Sequence, residues 1–68
     1  MKTSVRNRLE GRVTAIVRGS AVSEIEIETA AGLVSAVITS RSLDDTGLKV
    51  GDNVAAAFKA TSVFVDRL

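Results

Sequence analysis

Two stretches of this chain carry side chains from which a binding site could be built. Between Thr3 and Arg8, the run Thr3-Ser4-Val5-Arg6-Asn7-Arg8 sets two hydroxyls, an amide and two guanidinium groups within six positions, before any turn signal. Fork-shaped charged donors beside neutral hydroxyl donors suit an oxygen-rich anion. Lys59-Ala60-Thr61-Ser62-Val63 adds an ammonium group and two more hydroxyls. On composition alone, the first stretch reads first as an ordinary basic, hydroxyl-rich strand and Lys59 as a solvated edge charge. Neither stretch makes a site by itself.

Other chemistries are excluded more firmly. With no Cys and no His, the chain has no disulfide and no metal centre of the usual nitrogen and sulfur type. The same absence removes the side chains most used as nucleophiles and as acids or bases near neutral pH, so an enzyme is disfavoured. Glu24, Glu26 and Glu28 stand in a row on one strand face instead of wrapping an ion, and no Asp-x-Asp-x-Gly loop accompanies them. Asp44-Asp45 reads as charge in the first turn of a short helix. Nine Lys or Arg against eight Asp or Glu leave a net charge of +1, so long-range attraction to a polyanion is not built in and an anion site must be local. A nucleic-acid-binding barrel would stack bases on aromatic side chains. Here the only aromatic residues are Phe58 and Phe64, spaced for a core. The start Met1 to Arg12 lacks an apolar targeting segment, and the longest apolar run, Val54 to Phe58, is far short of the ~20 residues that span a bilayer. The chain reads as soluble and cytoplasmic, with no membrane partner.

The elements that must position the donors follow from periodicity. Sixty-eight residues without Pro, repeat or linker form one domain over 1–68, beginning at its own Met1 as an independent protein would. Arg12 to Arg18 reads as a strand with Val13, Ala15 and Val17 on one face and Thr14 and Ile16 on the other, extending back toward Val5. Gly19-Ser20 turns the chain. Glu24-Ile25-Glu26-Ile27-Glu28 then alternates without exception, which a helix would scatter around its circumference. Ala30-Ala31-Gly32 closes a hairpin into Leu33 to Ile38, apolar on both faces and suited to a central or interface strand. Thr39 or Ser40 caps a helical turn through Leu43, Asp44 and Asp45, with Gly47 as a left-handed stop and Leu48 folding back on Leu43. Val54 to Lys59 and Thr61 to Val65 read as two final strands. The expected fold is all-β: a five-stranded, OB-fold-like Greek-key barrel with one short helical turn between strands three and four. A core this small yields about 3–5 kcal/mol of net stability. Association of copies is the staple that remains, and the small Ala55 to Ala57 suit close approach of another backbone.

Taken in order along nearly the whole chain, Ser4-Val5-Arg6-Asn7 with Leu9 and Gly11, Ala36-Val37-Ile38-Thr39 with Ser42, Gly47-Leu48 and Gly51, then Lys59-Ala60 with Ser62-Val63 resemble the molbindin (Mop) family, small cytoplasmic molybdate-binding proteins of the TOBE type. The family's Ser-Ala-Arg-Asn signature is altered here by Val5. The resemblance implies an OB-type barrel that assembles as a hexamer, a trimer of dimers, with molybdate or tungstate held at subunit interfaces for storage or homeostasis. It implies oxyanion ligands at Ser4, the Val5 N–H, Arg6, Thr39, Ser42, Lys59 and the Ala60 N–H. Asn7 would brace the loop, and Ser62 stands beside the lysine motif. Thr39 and Ser42 would lie where a helix begins, so free N–H groups would add to the field. For a second class of anion site, on a symmetry axis, the candidate is the turn Arg18-Gly19-Ser20-Ala21, with Gly19 and Ser20 at its centre, which reads otherwise as a plain hairpin turn. The competing readings are a regulatory or structural module of a larger molybdate-responsive or transport protein, and a nucleic-acid-binding barrel.

Overall fold

The alternation of Glu24 to Glu28 sets the sheet, because it gives one strand a single wet face and commits Ile25 and Ile27 to the other. The computed structural model describes residues 4–68; Lys2, and Thr3 of the donor-rich stretch, lie outside them. The elements are β1 (Asn7–Arg18), β2 (Val22–Thr29), β3 (Gly32–Thr39), helix α1 (Ser40–Thr46) and β4 (Asn53–Phe58), followed by one 3₁₀ turn over Ala60–Ser62. The strands form one sheet in the order β3-β2-β1-β4, antiparallel throughout.

The sheet curls because β1 serves two partners. Its first half pairs with β4, from Asn7↔Phe58 to Arg12↔Asn53, and its second with β2, from Gly11↔Thr29 to Arg18↔Ser23. Where the ladders overlap stands Gly11, at which a Cβ would lie 2.2 Å from the Glu28 carbonyl oxygen. Only glycine permits that approach. Just beyond, the register with β2 slips between Val13 and Ala15, a bulge that bends the strand. The Lys49 to Asp52 turn docks there: the Val13 N–H donates to the Asp52 carbonyl at 3.0 Å and the Gly51 N–H to the Val13 carbonyl at 2.8 Å.

The bulge corrects the expected faces of β1. An extra residue inverts the alternation, so Val13 is buried and Ile16 packs on the same core, whereas Val17 is 65% exposed. The core consists of Val13, Ile25, Ile27, Leu43 and Ala56, with Leu48 among the residues packed around it. Leu43 reaches it from α1, which Thr39 caps by accepting from the Ser42 N–H and Gly47 ends at φ 65°.

Three further expectations fail. Among the described residues there are four strands, not five, and the curled sheet is an open half-barrel: Val63 to Val65 join no strand, and Phe64 is 90% exposed instead of lying in the core. β1 begins at Asn7, not Val5. Of the two readings of β3, the central one fails, because β3 is an edge strand, while the interface one stays open, with Leu33 and Val37 exposed. Apolar residues on both faces reveal that both faces need cover but not whether the cover lies in the same chain. Among the described residues no helix is long and apolar enough to cross a membrane.

Candidate oxyanion site

The β1–β4 ladder brings one set of expected ligands together. Its last pair is Asn7↔Phe58, so Arg6 and Lys59 are the next residues outward on the two strands, and Val5 and Ala60 follow. The register thus carries two cations to one end of one strand pair. Among the described residues Arg18–Asp44 is the one salt bridge, so neither cation is paired there. Ser4, Arg6, Lys59, Ala60 and Ser62 are exposed; Val5 and Asn7 are half-buried. In the 3₁₀ turn, the Ser62 N–H donates to the Lys59 carbonyl at 2.9 Å and the Val63 N–H to the Ala60 carbonyl at 3.2 Å. The Ala60 N–H takes no part in those bonds.

Thr39 and Ser42 form a second set. The Thr39 hydroxyl accepts from the Ser42 N–H at 3.1 Å and donates to the Ser42 hydroxyl oxygen at 2.8 Å. A hydroxyl has one proton, so Thr39 orients the pair and the Ser42 O–H is the donor left for a ligand. The expected field of open helix N–H groups is weaker than the sequence implies: the Ser42 N–H serves the cap, and the Ser40 N–H donates to the Ala21 carbonyl at 2.9 Å. Exposed Arg41 stands beside Ser42 in α1, as exposed Arg8 follows Asn7 in β1. Arg8 is the second guanidinium of the donor-rich stretch, the ligand set implied by the resemblance includes neither arginine, and among the described residues neither forms a salt bridge.

The turn at Gly19 and Ser20 serves the fold. A Cβ at Gly19 would lie 2.3 Å from the Val22 carbonyl oxygen, and the Gly19 carbonyl accepts from the Ser40 hydroxyl at 2.6 Å. Ser40, having committed its proton there, accepts from Ser23 at 2.7 Å, and both serines are nearly inaccessible. Sequence reasoning missed this buried chain. Its signal was Ser23, a polar residue two positions before Ile25 on the inward phase of β2. Asp44 is likewise corrected. It lies beyond the first turn of α1 and forms a two-pronged pair with Arg18 at 2.5 and 2.8 Å, and the hydrogen bond from that guanidinium holds its carboxyl below the ordinary value of 3.8.

The two ligand sets lie at opposite ends of the same strand. Arg6 and Lys59 flank the start of β1, whereas Thr39 pairs with Val22, next to the Ser23 that pairs with Arg18 at its end. At about 3.3 Å per residue, β1 covers a path of roughly 35 Å between them, matching the longest extent of the molecule, 36 Å. One copy thus carries two separate clusters of expected donors, one with two cations and one with a hydroxyl pair.

Comparison with known proteins meets this geometry. The model of the TOBE domain matches residues 3–65. The chain is 36% identical over 66 residues to molybdenum-pterin-binding protein 3 of Clostridium pasteurianum, covering 96% of this chain and 97% of that one. Its fold superposes with a TM-score of 0.94 and 39% identity on a molybdate-binding protein from Sporomusa ovata, covering 98% and 100% of the two chains. A cytoplasmic molybdate-binding protein, ModG, solved with molybdate bound, superposes with a TM-score of 0.82 and 30% identity over 88% of this chain and 43% of that one. From Thr3 to Val65, across both donor clusters and the sheet between them, this chain belongs to the TOBE-domain family, among the molbindin (Mop) proteins.

Proposed function

We propose that the protein binds molybdate, and tungstate as its near-isostere, in the cytoplasm for storage or homeostasis, at sites shared between copies of the chain. The observation that carries this reading is the placement of Arg6 and Lys59 just beyond the last β1–β4 pair, with no salt bridge to either among the described residues. A tetrahedral dianion between them removes their repulsion and leaves the pair close to neutral, which lowers the cost of enclosing the charge at an interface. Ser4 and the N–H groups of Val5 and Ala60 supply neutral donors around it, and Asn7 braces the strand entry. The Ser42 hydroxyl, oriented by Thr39, completes the shell from another copy, because about 35 Å of strand separates the two sets within one chain. A hexamer arranged as a trimer of dimers satisfies every half-site.

The names of the relatives support the ligand, and this donor set supports it independently: charge-assisted donors to an oxyanion are worth roughly twice neutral ones. Sulfate has the same charge and shape, so discrimination rests on the size of the enclosed cavity. The test is calorimetric titration with molybdate, tungstate and sulfate in parallel. Molybdate is expected to bind more tightly than sulfate; Arg6→Ala and Lys59→Ala should abolish the tight phase while Lys49→Ala leaves it intact. Equal weakening by Lys59→Ala and Lys49→Ala would mean diffuse attraction and no site.

A further inference from the structure

Helix α1 is seven residues long, too short to stand by its own hydrogen bonds, so its orientation is set by what fastens it to the sheet. It leaves β3 without a loop: Thr39 is both the last residue of the β2–β3 ladder, opposite Val22, and the N-cap. The next residue, Ser40, is the fastening. Its N–H donates to the Ala21 carbonyl at 2.9 Å, its hydroxyl donates to the Gly19 carbonyl at 2.6 Å, and its oxygen accepts from the Ser23 hydroxyl at 2.7 Å. Three bonds from one residue thus reach the turn after β1 and the start of β2. Ser40 and Ser23 are 3% and 2% exposed, and away from water each such bond is electrostatically stronger than at the surface. Leu43 also holds α1 to the core. An apolar contact is non-directional, however, and does not fix how the first turn is rotated.

We infer that Ser40, with Ser23 behind it, is the positioning residue of the hydroxyl cluster: it fixes the first turn of α1 so that Thr39 aims the Ser42 O–H at the oxyanion. This rests on the reading of Ser42 as a ligand and names what sets its direction. The Thr39 and Ser42 side chains are bonded to each other, at 2.8 Å between the hydroxyls, and both residues are exposed. The pair therefore takes its direction from the backbone that carries it. Two buried serines are a poor means of gaining stability. Each hydroxyl must be paired to offset the loss of water, and apolar groups of the same shape in both places would serve nearly as well. What the serines add is a single arrangement, because a fully satisfied polar network rigidifies the place it occupies. Hydrogen bonds weaken steeply as they bend. A loosened first turn thus costs affinity even though every donor is still present, and Ser40 acts without touching the ligand.

The experiment is calorimetric titration of the full chain with molybdate, beside urea denaturation and amide exchange. Ser40→Ala is expected to raise Kd about tenfold, the low end of what losing an orienting partner costs at metal sites, with the mass of the assembly unchanged. In a Ser42→Ala background the same change should alter Kd less than about twofold, because the group it aims is gone. Adding Ser23→Ala to Ser40→Ala should return part of the urea stability, since no orphaned hydroxyl remains, and leave the affinity loss in place. A merely structural pair would recover both. Without ligand, the Ser42 amide, which donates to the Thr39 hydroxyl at 3.1 Å, should exchange about tenfold faster in Ser40→Ala while amides of the β1–β4 ladder keep their rates. Ser23→Ala, which keeps the Ser40 bonds to Gly19 and Ala21, is the milder variant and should move Kd and the Ser42 exchange the same way by less. Four results each overturn the inference and leave the molybdate reading intact: native affinity in both Ser40→Ala and Ser23→Ala, affinity restored in the double serine variant, the full loss persisting in the Ser42→Ala background, or unchanged Ser42 exchange. Native affinity in Ser42→Ala instead removes the ligand role of Ser42, and this inference falls with it.

Discussion

If each oxyanion is held by the cationic half-site of one copy and the hydroxyl half-site of another, two defective variants should repair each other. Arg6→Ala removes the guanidinium from one half-site; Ser42→Ala removes the hydroxyl from the other. Neither touches the core. Arg6 is exposed, and Ser42→Ala keeps the helix cap, since it is the Ser42 N–H that the Thr39 hydroxyl receives at 3.1 Å. Both variants should fold within about 0.5 kcal/mol of the native chain, as surface substitutions do. Each loses a hydrogen bond to a charged ligand, about 1.5–3 kcal/mol, or roughly 10- to 150-fold in Kd. When the two are co-refolded in equal amounts, random assortment gives about one site in four whose cationic half comes from a Ser42→Ala chain and whose hydroxyl half comes from an Arg6→Ala chain, provided the contact is between copies. Calorimetry should then show a tight phase at about a quarter of the native stoichiometry, absent from either variant alone. If native mass spectrometry demonstrates mixed assemblies and no tight phase returns, both half-sites come from one chain and the two-ended geometry has been misread.

Two further outcomes follow from the packing. Ser40→Ala deprives the Gly19 carbonyl and the Ser23 hydroxyl of their partner in a nearly inaccessible place; it should cost about 1–3 kcal/mol in urea denaturation at fixed protein concentration, and adding Ser23→Ala should cost less than the sum of the single changes, because the pair acts as one network. Additive losses would refute the coupling. Arg18 lowers the Asp44 carboxyl below 3.8, so the pair stabilises the fold above that value and ceases to do so as pH falls through the lowered one. Native protein and Asp44→Asn should therefore differ slightly in Tm at pH 7, less in high salt because the pair is exposed, and converge in acid; a gap that persists in acid would assign the effect to packing.

Local chemistry made much of this protein legible in its sequence. The Glu24 to Glu28 alternation allowed one orientation of β2, Thr39 and Gly47 bounded the helix, and Arg6 and Lys59 stood out as donors because side-chain chemistry is a property of a residue and its near neighbours, whereas Thr39 and Ser42 entered as donors only through the family resemblance. What depended on partners distant in the chain was not legible. The bulge after Val13 inverts the faces of β1 because the Lys49 to Asp52 turn takes up both backbone groups of Val13, and no local pattern encodes that contact. Val63 to Val65 satisfy every rule for a strand, yet the β-conformation becomes a strand only where an edge receives it, and their own chain leaves them unpaired. The division of the expected donors between two ends of β1 is of the same kind: residue types mark which side chains can donate to an oxyanion, while the register of a curled sheet decides which of them lie together.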